Sequence, residues 1–357
     1  MKKILILLLF IFLISACSSV EDVEPKMLWG NGICEDLEFK NKMCVEDCND
    51  VGQGKLYLGF MIHIEGWDDA IDNEMQFNRW AELTRETADI LEEYNAIGTF
   101  EFSPEFVEAS EKWGDNVILE MYERGHGVGV HADLGFQAEK KGYTQEQFVA
   151  DLIEQKEDIE RVFGHEVRHV SGICSELDWV QAAIDAGFEF TTGGVSMCLQ
   201  SLPEDKRPKE YLSDSIILKN YHDIYPNEVK DIVHPWRVST ARDWLVNDPD
   251  GDLVIFSSDG VIEGFYEQRV SGDFGREKAV FDENDVSLYI DILDEYLEYS
   301  RNDRINLYYV AESIGNSMDE EVTKDWLEAI EPYVEDGRVE WKSFPDVYDE
   351  YVEMESS

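Results

Sequence analysis

Basic residues are scarce in this 357-residue chain: 30 Lys and Arg stand against 78 Asp and Glu, a formal net charge of −48. A surface this acidic repels phosphate backbones and anionic headgroups, which argues against nucleic acid and anionic lipid as partners. It fits the solubility of an exported protein, or adaptation to salt. Also missing are a Gly-rich phosphate loop, a G-x-S-x-G nucleophile elbow and any tandem repeat, so nucleotide-dependent and serine-hydrolase chemistry have no motif to rest on. Long hydrophobic runs are absent as well. The one apolar stretch, Ile4 to Ile14, is too short to span a membrane comfortably.

That stretch follows Lys2 and Lys3 and ends Ile14-Ser15-Ala16-Cys17, the charge, length and small-residue pattern of a secretory signal. Cysteine directly after Ile-Ser-Ala resembles a bacterial lipobox. Residues 1–16 are therefore expected to be removed and Cys17 to carry a lipid anchor, placing the protein in the cell envelope or outside the cell; an ordinary cleaved signal is the alternative. Outside the cytoplasm disulfides form. Cys174 and Cys198 lie in one region and could pair, while two of Cys34, Cys44 and Cys48 could close a small loop. Residues 17–54 read as a tether and a small Cys-rich acidic module. Asn31, Glu35, Glu38, Asp47 and Asp50 are oxygen ligands of the kind calcium takes; the alternative is a disulfide-stapled spacer with solvated acids.

The whole chain is 43% hydrophobic, and the main domain, 55–357, is large enough for one core. Its centre is Gly98 to Gly135. A β-like run, Thr99 to Phe102, is followed by Ser103-Pro104, an N-cap with proline at the first helical position. A helix over about Asn116 to Arg124 stops at Gly125. Then comes His126-Gly-Val-Gly-Val-His131, a short strand with little bulk at Gly127 and Gly129. Strand, helix and strand in this order imply a right-handed parallel crossover. His131 and Asp133 then fall at the carboxyl end of a strand, where α/β folds place their chemistry; His126 begins the strand and is the poorer ligand. In the strand Leu56–Ile64, alternation puts His63 and Glu65 on one face and Ile62 and Ile64 on the other.

GTFEF, SPEFVEAS and ERGHGVGVHADLG resemble the second and third strands of the polysaccharide deacetylases with the NodB-homology fold. The resemblance implies an α/β fold, a seven-stranded (β/α) barrel, with an insertion at about 195–275. It implies a divalent metal, zinc first, and a polysaccharide substrate. The family's second strand-end histidine, four residues on, falls at Gly135. His131, His63, Glu65 and Asp133 are the expected ligands. Asp68 or Asp69 is the expected base, held by Arg168, whose Arg168…Gly172 spacing is similar to the family's R-x-P-x-G. Glu312 stands near the place of the family's late histidine. In the insertion, His234, Trp236 and Arg237 are expected to form a loop over the mouth, where an aromatic and a guanidinium suit a sugar; a packed loop anchor is the alternative for the Pro-Trp pair. Two further readings stay open: a glycoside hydrolase using Glu65 and Glu312, and a non-catalytic carbohydrate-binding lipoprotein.

Overall fold

A computed structural model describes residues 52–65, 67–271, 280–313 and 319–356. Cys17 and the proposed calcium module lie outside them. The strands are β1 (Leu56–Ile64), β2 (Thr99–Phe102), β3 (Gly127–His131), β4 (His169–Ser171), β5 (Phe190–Thr191), β6 (Trp236–Val238), β7 (Leu253–Ile255), β8 (Asn306–Ser313) and β9 (Val339–Trp341). They form one sheet in the order β6-β7-β5-β4-β3-β2-β1-β8, with β9 beside β1. All pairs are parallel except β6 with β7.

The sheet curls until its ends meet. Past β7 the chain runs alongside β8: Tyr309 accepts from Asp259 N, Gly260 accepts from Ala311 N, and Ala311 accepts from Ile262 N. Seven parallel strands thus surround one lumen, the number expected. Their membership differs from the reading above. The sixth strand, β7, comes from inside the expected insertion, and β9 pairs only with the first residues of β1.

Local signals explain most elements. Ser103 accepts from Phe106 N and Pro104 opens its helix, which ends at Gly114 in the left-handed conformation. Thr144 and Gln147 form a reciprocal capping box on the helix Gln145–Phe163. The helix Trp179–Asp185 is capped by Asp178, which accepts from Gln181 N. Among the described residues, no helix is long and apolar enough to cross a membrane.

The two faces of the curled sheet do different work. Outward residues such as Phe60, Ile62, Phe100, Phe102, Val128 and Val130 are buried against the surrounding helices. A second cluster fills the lumen from Met61, Phe190, Val254, Phe256, Tyr309 and Phe344. Each such side chain contributes about 1.5–3 kcal/mol by leaving water. Phe344 starts the C-terminal helix Phe344–Glu355, which plugs the amino end of the barrel. Gly59 makes room for it, since a Cβ there would lie 2.4 Å from the Phe344 ring. The carboxyl end stays open.

Candidate metal centre

Alternation carries polar side chains to that open end. On β1, Met61 and His63 face the lumen, and Glu65 follows at the lip. They line a cavity of about 310 Å³ together with His131, Asp133, Ser171, Tyr221, His222 and Ser258. One ligand atom each from His63, Glu65 and His131 lies within 4.8 Å of the others. Two imidazoles and a carboxylate with open space beyond them are a donor set that suits zinc. The His131 Nδ1 is 2.9 Å from Ser171 Oγ, which fixes the ring at the cavity wall. The His63 and His131 rings stack, centroids 3.9 Å apart and planes 20° apart. Lone pairs lie in the ring planes, so the rings must splay for both to reach one ion.

Gly135 does not replace the strand-end histidine with another ligand. A Cβ there would lie 2.0 Å from the Cys174 carbonyl oxygen, and Gly135 N donates to Gly172 O. Backbone fills the place a side chain would need. Asp133 sits in the left-handed region at φ 43°, exposed at the cavity's lip. Gly172 permits this turn, because a Cβ on it would come within 2.6 Å of Asp133 N. Cys174 and Cys198 are bonded, tying the start of the insertion to the cavity wall. A bridge of this kind typically stabilises by about 2–4 kcal/mol.

Other expected site residues are elsewhere. Arg168 precedes β4, at the amino end; its guanidinium pairs with Glu189 and with Asp349 at 2.6 Å and lies over the Tyr348 ring. It holds the C-terminal plug, not a base. Asp69 is exposed on the helix Trp67–Asp72 and does not line the cavity; the Asp68 side chain lies outside the described residues. Glu312 is in register with Ile62, hence on the outer face. It lines a separate cavity between the helices Glu74–Glu93 and Glu320–Glu335. Glu65 and Glu312 therefore cannot flank one glycosidic bond, which removes the hydrolase pair.

The trio from the insertion is also at the far end. His234 Nδ1 meets the Ile305 carbonyl at 3.1 Å, just before β8 begins, and burial lowers its pKa to about 4. Trp236 donates to Trp244 O, and Arg237 pairs with Glu355 of the plug. None of the three covers the mouth. Tyr221 and His222, which carry no strand or helix signal, do.

The lumen beneath holds what sequence reasoning missed. Glu101 is fully buried and touches both His63 and His169, while Thr192 donates to it. Burial alone would raise the Glu101 carboxyl, but the contacts with His169 and His63 outweigh it and hold it well below the usual carboxylate range.

The fold around this site is shared with known structures. The chain is similar to a Mycobacterium smegmatis protein assigned as a polysaccharide deacetylase, with a TM-score of 0.51 and 12% identity over 85% of this chain and 92% of that one. A Pseudomonas aeruginosa protein assigned the same way gives a TM-score of 0.52 at 10% identity, over 83% and 90%. The fold is that of the polysaccharide deacetylases. The PuuE allantoinase matches this deacetylase fold equally well, with a TM-score of 0.52 at 10% identity over 83% and 90%. The fold alone therefore does not determine the substrate. No family model matches the sequence, and no curated protein does.

Proposed function

We propose that this chain is a metal-dependent deacetylase that removes acetyl groups from a polysaccharide outside the cell. The observation that carries the reading is the convergence of His63, Glu65 and His131 on one small volume at the open end of a deacetylase-type barrel. A divalent ion held there would acidify a bound water and polarise the acetyl carbonyl. The remaining steps fall to the chain. Asp133, at the lip, takes the proton of the attacking water. His222, which lines the same cavity, delivers a proton to the departing amine. The apolar lining from Met61, Val195, Met197, Val261 and Ala311 excludes bulk water around them.

Acetate is the product that decides between readings. Incubation with a partly acetylated glucosamine polymer or acetylated xylan should release acetate without new reducing ends, and a chelator should stop it. New reducing ends without acetate would replace the deacetylase with a glycosidase. A protein that binds the glycan and zinc but releases neither product is the carbohydrate-binding lipoprotein instead. Anchoring is a separate part of the proposal, resting on the lipobox-like Ile14-Ser15-Ala16-Cys17. Wild type expressed with its leader should partition into detergent and Cys17→Ser into water; equal partitioning would remove the anchor.

A further inference from the structure

The barrel interior under the mouth is not uniformly apolar. Glu101 Oε1 accepts from Thr192 Oγ1 at 2.7 Å and meets His169 Nε2 at 3.1 Å, while Oε2 meets His63 Nε2 at 3.2 Å. His169 is fully buried, stacked on Phe190 with centroids 4.7 Å apart. It reaches Glu101 only because position 129 is glycine: a Cβ there would lie 2.1 Å from His169 Nε2. Desolvating a carboxylate costs several kcal/mol unless its oxygens are paired, and apolar side chains would fill the same lumen without that cost. Packing alone does not account for this cluster.

We propose that Glu101 is the positioning residue of the metal centre. From inside the barrel it engages Nε2 of His63 and so turns Nδ1 toward the cavity; Thr192 and His169 hold the carboxylate in place. The inference rests on the metal reading above. A histidine that binds a metal through one nitrogen is oriented by a partner on the other, and that partner raises its basicity. Ser171 Oγ is that partner for His131, and Glu101 is that partner for His63. Neighbouring strands are in register at this level, His63 opposite Glu101 and Glu101 opposite Gly129, so the carboxylate lies beside the ring, Oε2 at 3.2 Å from Nε2 though outside hydrogen-bond alignment. With its other oxygen occupied, Glu101 cannot rotate away when the two stacked rings splay around an ion.

The test compares wild type, Glu101→Gln and Thr192→Val for zinc affinity, by competition with a chromophoric chelator, and for the visible spectrum of bound cobalt. Glu101→Gln should bind zinc about 10–100-fold more weakly, with shifted cobalt bands and an unchanged circular dichroism spectrum. Thr192→Val, close in shape and uncharged like the native residue, should show a smaller loss in the same direction. It decides the matter if Glu101→Gln does not fold. Wild-type affinity and cobalt spectrum in the variants, alongside one zinc per wild-type chain, would overturn the role of Glu101 and leave the metal reading standing. A wild type that binds no zinc would overturn both.

Discussion

His131→Ala should lose its metal and, with it, acetate release. His131 ends β3 with its ring buried in the cavity floor and its Nδ1 on Ser171 Oγ. Removing it leaves one imidazole and one carboxylate, too few to hold zinc against dilution. Loss of a mere outer partner of a ligand costs up to ~100-fold in affinity or activity, and loss of a ligand itself should exceed that. The fold should survive, since the position lies at the open end and supports no helix. Metal content after dialysis, read beside acetate release, checks the expectation. A variant that keeps one zinc per chain would show that His131 is not a ligand.

His222→Gln should separate proton delivery from binding. His222 reaches the cavity from the insertion, beside Tyr221, whose ring lies 4.1 Å from its own. An amine leaves an acetamide only when protonated, and a positioned acid is typically worth about 10²–10⁴-fold in rate. The variant should lose that factor in kcat on an acetamide substrate. It should hydrolyse an aryl acetate at nearly the wild-type rate, because a phenolate leaves without a proton. Equal losses on both substrates would make His222 a binding residue and return the search for the acid to the other side chains of the mouth.

The parts of the site that were legible in the sequence are those that alternation and glycine spacing govern. His63 with Glu65, and the glycine-lined strand ending at His131, needed only period-two geometry. Seven strands were expected from the resemblance, although the sixth of them was not expected inside the insertion, and the Cys174–Cys198 bond was legible from their nearness. What failed did so for physical reasons. Arg168 matched a motif by spacing, but it precedes its strand and so emerges at the wrong end of the barrel. Glu312 has the wrong parity. β8 hides this, because its aromatic and aliphatic residues are buried on both faces and no polar alternation shows which side is which. His234, Trp236 and Arg237 were drawn to the mouth by their chemistry, whereas the antiparallel pairing of β6 with β7 and the contact with Ile305 hold them at the other end. Glu101 and His169 are 68 positions apart and meet only across the lumen of a curled sheet. Gly129 was the available clue: glycine within a strand often marks where another group approaches closely.

The claim on which the rest depends is a single divalent ion held by His63, Glu65 and His131. The most direct measurement is an anomalous difference map from crystals grown with one equivalent of zinc, recorded on both sides of the zinc edge. One peak per chain is expected at the barrel mouth, within coordinating distance of all three side chains and with the two imidazole rings splayed apart. A peak elsewhere, or none at the mouth from a protein saturated with zinc, would contradict it.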